Sequence, residues 1–267
     1  MSFWQNFLKI LDTSMETPTL FGWFHILWLG ITIVSTILLC RFYKGDVRRM
    51  ILTVTLVVIA LEIYKQINYS FSYENGITFS YRWYAFPFQF CSTPMYVGLL
   101  AGLTKKGWLH KAACAYLATY AIFAGLCVML YPGDVFIDTI GINIQTMVCH
   151  GSMITIGVYL LYSGYVKVEH KSILKAIPLF AIAFAIAMGL NIWAKFSGLL
   201  EEHTFNMFYI SPYVNSTLPV LSVVQPIIGF LPTIILYVVV FTFAAYLMLL
   251  IAIGCKALAK KRQKVAV

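Results

Sequence analysis

The two residues best suited to covalent chemistry in this sequence are Cys91 and His150, which lie in different long apolar stretches. A thiol becomes an effective nucleophile when a neighbouring base takes its proton, and histidine often supplies that base. Pro87 and Pro94 flank Cys91 in the segment PFQFCSTPM, and prolines interrupt helical hydrogen bonding and free backbone groups that need other partners. The pattern therefore favours a protein-lined cavity at Cys91 over direct contact with lipid.

Eight further polar side chains are candidates for substrate binding or for supporting the two reactive groups. Seven lie within apolar stretches and the last lies in a loop: Glu62, Lys65, Gln66, Gln89, Asn143, Asn191, Lys195 and Asn206. Counted from the outer ends of their stretches, candidates on four stretches lie about five to eight residues deep, or roughly 8–12 Å along a helix. Polar groups at one common depth predict an inward-facing cavity, with Gln89, Asn143 or Asn206 as donors to an oxyanion.

The same side chains also have plainer uses, which the sequence leaves open. Glu62 and Lys65 are three residues apart and can neutralise each other on one helix face. Alternatively, Glu62 orients the imidazole of His150 while Lys65 or Lys195 holds an anionic group. Lys195 can also extend its ammonium toward the lipid headgroups, and His150 can bridge two helices through hydrogen bonds.

The composition indicates a helical membrane protein. Of the 267 residues, 61% are hydrophobic and 11% are charged, and the mean hydropathy is +0.83. A soluble domain carries about 25% charged residues, so this chain lacks the charge for a water-facing surface. A helix needs about 20 apolar residues to cross the hydrocarbon core of a bilayer. Seven stretches qualify, which predicts an all-α, polytopic seven-helix bundle forming one domain over residues 1–267: 21–42, 50–69, 85–103, 109–131, 143–165, 172–196 and 227–255.

The basic residues predict the direction in which the chain crosses the membrane. Fifteen of the 19 Lys and Arg residues lie in or beside the loops after the first, third and fifth stretches, or in the C-terminal tail. Because cytoplasmic loops are enriched in Lys and Arg, we expect the N-terminus outside and the C-terminus in the cytoplasm. The net charge of +9 is thus a topology signal, and nothing else in the sequence supports nucleic-acid binding.

Two segments outside the seven stretches have predicted roles of their own. Residues 1–16 repeat apolar and aromatic side chains at helical spacing, which is typical of an interfacial helix, although a mobile apolar terminus fits equally well. Residues 197–226 form a long, apolar, proline-containing loop. Loops of that length are usually functional, so we expect this one to fold back as a lid over the cavity, with Asn206 and Tyr209 contributing to it.

The cysteines indicate neither a metal site nor a disulfide framework, and no cofactor is expected. They lie in or at the ends of apolar stretches, without CxxC or other metal-binding spacing: Cys40, Cys91, Cys114, Cys127, Cys149 and Cys255.

Several short motifs resemble those of the bacterial YwaF integral membrane proteins. They are Pro87 followed four residues later by Cys91, His150 in the fifth stretch, and the segments NIWAKFSG and FNMFYISP before the last stretch. The YwaF proteins are similar to the vertebrate transmembrane protein 164, and the resemblance extends over most of the chain. It implies a compact multi-span helical bundle. The vertebrate member is regarded as a phospholipid acyltransferase that uses a cysteine and a histidine, and Cys91 and His150 stand where those two would fall.

The residues and the resemblance together predict a membrane-embedded lipid acyltransferase or acyl hydrolase with a Cys91–His150 pair in an outer-leaflet cavity. The sequence specifies neither the acyl donor and acceptor nor the oligomeric state. Membrane lipids are the expected partners, and a bacterial plasma membrane is the expected location. The alternative is a non-enzymatic transporter or small-ligand-binding membrane protein, in which Glu62, Lys65 and Lys195 hold a zwitterion.

Overall fold

The structure, a computed structural model, describes residues 2–133, 135–199 and 204–265. Residue 1 of the predicted interfacial helix and residues 200–203 of the predicted lid lie outside this part of the chain. A short antiparallel hairpin, β1 (Phe71–Ser72) and β2 (Thr78–Phe79), follows the third helix. The α-helices within the described ranges are α1 (Phe3–Leu11), α2 (Trp23–Phe42), α3 (Val47–Ser70), α4 (Thr93–Leu103), α5 (Trp108–Leu117), α6 (Tyr120–Leu130), α7 (Ile140–Tyr162), α8 (Ser172–Phe196), α9 (Pro219–Ile228) and α10 (Phe230–Val265).

The described part of the chain is predominantly helical, which confirms the all-α class predicted from composition. Six helical segments there have the length and apolar character to cross a membrane: α2, α3, α5 together with α6, α7, α8 and α10. The outward-facing sides of α2 and α10 are apolar, and Ile33, Ile37 and Ile235 are each more than half exposed. Because such a surface is unfavourable in water, these faces suit contact with lipid.

The third predicted stretch, 85–103, is not one continuous helix. A 3₁₀ turn, Phe90–Ser92, precedes α4, and the turn and α4 together are shorter than a membrane crossing requires. Proline is the physical reason, because Pro87 cannot donate a backbone hydrogen bond within a helix. Pro94 is tolerated because it lies in the first turn of α4. Irregular backbone therefore positions Cys91 at the start of this segment.

Two other predicted stretches contain helix breaks. Between α5 and α6, Thr119 leaves the helical conformation with φ −134° and ψ −78°, and its hydroxyl donates to the carbonyl of Ala115 at 2.7 Å. Between α9 and α10, Gly229 has φ 81°, a left-handed conformation that glycine adopts without steric cost. The sequence predicts a last stretch over 227–255, whereas α10 covers Phe230–Val265.

α7 forms the centre of the bundle and carries His150. It packs against α2, α3, α5 and α6, and most of its side chains are buried. A Cβ added to Gly125 of α6 would stand 2.7 Å from the carbonyl oxygen of His150. Likewise, a Cβ added to Gly102 of α4 would stand 2.7 Å from Cβ of Leu52 in α3. Small residues let helix backbones approach closely, so these glycines determine how near α4 and α7 lie to their neighbours.

The helix ends lie on two opposite faces of the bundle. On one face, Arg48 at the start of α3 donates to the carbonyl of Gly102 at the end of α4 at 3.2 Å. The loops after α2, α4 and α7 and the C-terminal part of α10 share this face, which we call the basic face because most Lys and Arg residues lie there. On the other face, here called the opposite face, His25 near the start of α2 bonds to the carbonyl of Met129 at the end of α6 at 2.8 Å.

Candidate functional site

Cys91 lies in the 3₁₀ turn Phe90–Ser92, where the chain enters the bundle from the opposite face. Thr93 anchors the turn, because its hydroxyl donates at 2.8 Å to the first carbonyl of the turn and contacts the hydroxyl of Tyr116 at 2.6 Å. Cys91 is only partly buried, whereas Cys149 on α7 is buried. As a whole residue, Cys91 is therefore the more exposed of the two.

His150 on α7 has one ring nitrogen bound and the other unused. Its Nδ1 lies 2.7 Å from the carbonyl oxygen of Thr146. A carbonyl only accepts hydrogen bonds, so Nδ1 carries the proton and Nε2 of the neutral ring presents a lone pair. That Nε2 is buried and has no hydrogen-bond partner among the described residues. Thr146, and not Glu62, therefore sets the tautomer of His150 and leaves Nε2 in the form that accepts a proton.

Two other buried histidines, His25 and His110, have both ring nitrogens engaged. The N–H of Phe21 donates to Nδ1 of His25 at 3.0 Å, and Nε2 of His25 is bound to a carbonyl. Nδ1 of His110 is bound to the carbonyl of Ala101 at 3.1 Å, and its Nε2 contacts the hydroxyl of Tyr165 at 2.8 Å. These two side chains bridge structural elements, and His150 differs from both in its unused nitrogen.

Cys91 and His150 have one neighbour in common but are not joined by a hydrogen bond. Lys65 of α3 lies within electrostatic range of both side chains. Cys149, which precedes His150 in α7, lies within electrostatic range of Cys91. Because Nε2 of His150 has no partner, the thiol does not bind it in this structure. Lys65 is thus a common neighbour of the two groups, which have no direct contact at that nitrogen.

Glu62 is the centre of a buried polar network that includes Lys65. Its Oε1 accepts from Lys65 Nζ at 2.8 Å and from Gln66 Nε2 at 2.7 Å. Its Oε2 accepts from Gln145 Nε2 at 3.1 Å, and Gln66 Nε2 also donates to the carbonyl of Ala85 at 2.8 Å. The network links α3, α7 and the segment before α4. The sequence leaves open whether Glu62 pairs with Lys65 or orients His150. In the structure, Glu62 pairs with Lys65.

An open groove of about 400 Å³ reaches the network along the opposite-face end of α3. Glu62 and Gln66 line it from α3, and Pro87 and Met95 line it from the segment that contains the Cys91 turn. Most of the remaining lining is apolar. The groove therefore offers an amphipathic molecule a route along the bundle to the Glu62 carboxylate.

Asn191 and Gln89 both bind the backbone of the loop after α8. Asn191 Nδ2 donates to the carbonyl of Met207 at 2.9 Å, and the N–H of Met207 donates to Asn191 Oδ1 at 2.7 Å. Gln89 Nε2 donates to the carbonyl of Asn206 at 3.0 Å, and the N–H of Phe208 donates to Gln89 Oε1 at 2.9 Å. Irregular backbone at membrane depth needs internal partners, and these two amides supply them.

Asn143 and Asn206 also hold loop backbone. Asn143 Oδ1 accepts from the N–H of Ile137 at 3.0 Å, and its Nδ2 donates to the carbonyl of the same residue at 2.7 Å. Asn206 Oδ1 accepts from the N–H of Ser211 at 2.8 Å, so this side chain shapes its own loop. The sequence predicts these amides as substrate or oxyanion ligands, whereas here their polar atoms are bonded to backbone. Lys195 is exposed near the end of α8.

The described part of the predicted lid packs against the Cys91 turn. Phe208 is fully buried, stacks on Phe88 with a centroid separation of 6.1 Å and meets Phe90 edge-on at 5.8 Å. Phe208 and Tyr209 have φ values of 57° and 58°, a left-handed conformation that is uncommon for bulky residues. The loop is thus held over the turn in a strained conformation by aromatic packing and by the amides described above.

The structure also shows polar contacts that the sequence does not predict. Gln145 binds Glu62. The position of Gln145 within an apolar stretch indicates a polar role, but it does not identify the partner. Thr146 holds His150 at a spacing of four residues, which is one helical turn. Near the basic face, the Cys114 thiol lies 3.6 Å from a ring nitrogen of His110, again four residues away.

The described residues contain no group of three His, Cys, Asp or Glu side chains placed to hold a metal ion. All six cysteines are free thiols.

The chain matches one known protein family. The profile of the TMEM164 family covers residues 20–253, which include all of the helices from α2 to α9 and most of α10. No curated protein and no solved structure matches the chain. The matched range contains Cys91, Glu62 and His150, so the polar region described above lies within the part shared with the family.

Proposed function

We propose that this chain, which belongs to the TMEM164 family and is a multi-pass membrane protein, transfers or hydrolyses acyl groups of membrane lipids. Cys91 is the proposed nucleophile and His150 the proposed general base. The observation that carries the proposal is Nε2 of His150, a buried lone pair that has no hydrogen-bond partner among the described residues. A buried polar atom without a partner destabilises the fold, and such groups are often kept for catalysis.

In the first step, His150 Nε2 accepts the proton of the Cys91 thiol, and the thiolate attacks the carbonyl carbon of a lipid ester. The tetrahedral intermediate expels the lipid alkoxide, which takes the proton from His150 and leaves as an alcohol. The acyl group remains on Cys91 as a thioester. Catalytic hydrogen bonds are often long in a free enzyme, and substrate binding must bring Sγ and Nε2 within hydrogen-bond reach.

In the second step, a lipid hydroxyl or water attacks the thioester carbonyl while His150 accepts its proton. Collapse of this intermediate breaks the C–S bond, and the proton returns to the sulfur of Cys91. A hydroxyl acceptor yields a new ester, which is transfer, and water yields a fatty acid, which is hydrolysis. The free thiol and the neutral imidazole are both restored.

The surrounding polar residues have supporting roles in this proposal. Lys65 stabilises negative charge that develops on the Cys91 sulfur, and Glu62 holds the Lys65 ammonium in place at 2.8 Å. Lys195 reaches toward the anionic headgroup of the lipid. The amides that bind loop backbone act as positioning residues, because they hold the loops that close over the Cys91 turn: Gln89, Asn143, Asn191 and Asn206.

The proposal includes seven crossings, with the opposite face outside and the basic face in the cytoplasm of a bacterial cell. The bond from Arg48 to the carbonyl of Gly102 supports the seventh crossing, since it brings the end of α4 to the face where α3 begins. The excess of Lys and Arg on the basic face supports the direction. A site roughly 10 Å below the outer headgroups lies where lipid esters meet their acyl chains, so the substrate stays in the bilayer.

The test is acyl labelling of the purified protein in vesicles whose phospholipid carries an alkyne-tagged acyl chain. The wild type should acquire a label that neutral hydroxylamine removes, because thioesters are cleaved by it. Cys91→Ala should acquire no such label. His150→Gln should acquire it on the order of 10²–10⁴ times more slowly, the usual effect of removing a general base.

Cys40→Ala is the matched control, because Cys40 lies near the end of α2, which is on the basic face. Its labelling should equal that of the wild type. Undiminished labelling of both Cys91→Ala and Cys91→Ser would remove Cys91 as the nucleophile.

The groove beside Glu62 and Gln66 favours the second candidate, a transporter or small-ligand-binding protein. In that function Glu62 binds the cationic group of a zwitterionic solute, and Lys65 and Lys195 bind its anionic group. Solute uptake by vesicles that contain purified protein, unchanged by Cys91→Ala, would favour this candidate. Acyl labelling that depends on Cys91 and His150 would favour lipid acyl transfer.

A further inference from the structure

A second large cavity lies near the basic face, at the end of the bundle away from the Cys91 turn. It has a volume of about 960 Å³ and is enclosed by α6, α7, α10 and the loop that follows α7. We call it the basic-face cavity. Leu126, Ile154, Val158 and Ile251 form part of its wall, which is mostly apolar. Its size is at the upper end of roughly 300–1,000 Å³, the range typical of small-molecule sites, so it can hold a long apolar chain.

Charged residues stand at one end of the basic-face cavity. Lys167 in the loop after α7 and Lys256 in α10 both line it, and both are exposed. Glu169 also lines it, but its carboxylate lies 3.9 Å from the ammonium of Lys175. The two lysines therefore give the mouth of the cavity a net positive charge.

The positions of the two lysines are set by ordered backbone. The carbonyl of Lys167 accepts from the hydroxyl of Ser172 at 2.6 Å and from the N–H of Glu169 at 3.0 Å. Lys256 lies on α10, a helix of 36 residues that is roughly 54 Å long at about 1.5 Å per residue. Because the hydrocarbon core is about 30 Å thick, a helix of this length extends to the headgroups and beyond.

We propose that the basic-face cavity binds an anionic phospholipid, with an acyl chain in the apolar part and the phosphate between Lys167 and Lys256. Charge complementarity favours this occupant over a zwitterionic lipid, since each Lys near an anionic membrane surface contributes attraction. The apolar wall favours a phospholipid over a free phosphate, which makes no use of it. The site is separate from the Cys91 turn and would bind lipid whether or not acyl transfer occurs.

The experiment is native mass spectrometry of the full chain in detergent, titrated with phosphatidylglycerol or with phosphatidylcholine of the same acyl chains. The wild type should bind phosphatidylglycerol more tightly. In the double variant Lys167→Gln/Lys256→Gln, phosphatidylglycerol should bind roughly thirty-fold more weakly, which is about 2 kcal/mol at tenfold per 1.4 kcal/mol. Ala252→Phe, which fills the apolar part, should weaken binding of both lipids.

The matched control is Lys106→Gln/Lys111→Gln, which removes two exposed lysines of the basic face that do not line the cavity. Its affinity for phosphatidylglycerol should equal that of the wild type. An equal loss in control and test variants would assign binding to the general charge of the face and overturn the proposal. Unchanged binding of both lipids to Ala252→Phe would also overturn the proposal. The same holds for a dimer that forms through this cavity and displaces the lipid. None of these results bears on acyl labelling of Cys91.

Discussion

Asn191 and Met207 exchange two hydrogen bonds, one in each direction, at 2.9 and 2.7 Å. Both residues are fully buried, so neither backbone group of Met207 has water as an alternative partner. The pair fastens the loop after α8 to the bundle, next to the point where Gln89 binds the following backbone groups. The covering of the Cys91 turn thus depends on amide side chains that contact the loop and not a ligand.

Replacing Asn191 by Leu keeps the branched shape and the number of side-chain non-hydrogen atoms, and it removes both bonds to Met207. The Met207 carbonyl still accepts from the N–H of Ile210 at 3.3 Å, so the Met207 N–H is the group left without a partner. A buried donor left unpaired costs about 1–3 kcal/mol, and the free energy of unfolding should fall by that amount. Thermal unfolding in detergent measures the loss, and proteolysis of the loop after α8 shows where it acts. Ile192→Ala, on the exposed side of the same helix, is the control. A similar loss in both variants would contradict the role of Asn191.

Replacing Lys65 by Met leaves the Glu62 carboxylate buried without its cation. Breaking a buried ion pair from one side costs about 3–5 kcal/mol, whereas removing both charges is often nearly neutral. Lys65→Met should therefore lower the free energy of unfolding strongly, and Glu62→Gln/Lys65→Met should recover most of the loss. A double-mutant cycle from unfolding in detergent measures this coupling. If the double variant were less stable than Lys65→Met, the two residues would not act as a pair.

Replacing Gly125 by Ala should displace α7 at His150. The new methyl group would stand 2.7 Å from the carbonyl oxygen of His150 and 3.0 Å from Cγ1 of Ile154. Overpacking of this kind costs about 1–3 kcal/mol, and the shift of His150 should slow acyl labelling of Cys91. Gly189→Ala on α8 is the control, since no atom outside its own helix backbone and chain neighbours lies within 4 Å of that position. Equal behaviour of the two variants in unfolding and labelling would show that the contact with α7 is unimportant.

Asp46 caps α3 on the basic face and should make that helix end sensitive to acid. The N–H groups of Arg49 and Arg48, together with the charges of both guanidinium groups, hold the pKa of Asp46 below its ordinary value. Because the pKa is lower in the folded state, Asp46 stabilises the helix fully above the ordinary carboxyl pKa. That contribution is lost as the pH falls through the lowered folded-state pKa.

The measurement is hydrogen exchange of the first turn of α3, corrected for intrinsic rates, over this acidic range. Protection should decline in the wild type. Asp46→Asn keeps an acceptor at the cap and removes the charge, so its protection should not change with pH. A decline of the same size in both proteins would rule out Asp46 as the titrating group.

Much of the helical framework is predictable because apolar length is a local property of the chain. The predicted stretch 172–196 coincides with α8, and the break at 85–103 follows from the flanking prolines that the sequence already displays. The break at Thr119 is less visible, because neither proline nor glycine marks it. The extra length of α10 past 255 is also missed, since its last turns are polar and basic.

The sequence predicts which residue types belong to the candidate site, but it does not predict the hydrogen-bond partner of each polar atom. Glu62 and His150 are candidates because carboxylates and imidazoles are costly in a membrane unless they serve a purpose. Cys91 is a candidate because a thiol activated by a histidine can act as a nucleophile. The amides of Gln89 and Asn191 are candidates because polar groups at a common depth predict a cavity, yet they bind loop backbone. No sequence pattern distinguishes an amide that meets a ligand from one that meets a carbonyl.

The sequence alone predicts a helical membrane protein with one face rich in Lys and Arg. Hydropathy and charge can be read from short segments of the chain, because they depend on residue type and not on distant contacts. Which polar atoms are satisfied, and which remain free, depends on partners far apart in the chain. Gln89 meets the backbone 119 residues later, and Glu62 meets Gln145 across 83 residues. The unused Nε2 of His150 emerges only when every neighbouring helix is in place, because a missing partner is a property of the packed bundle.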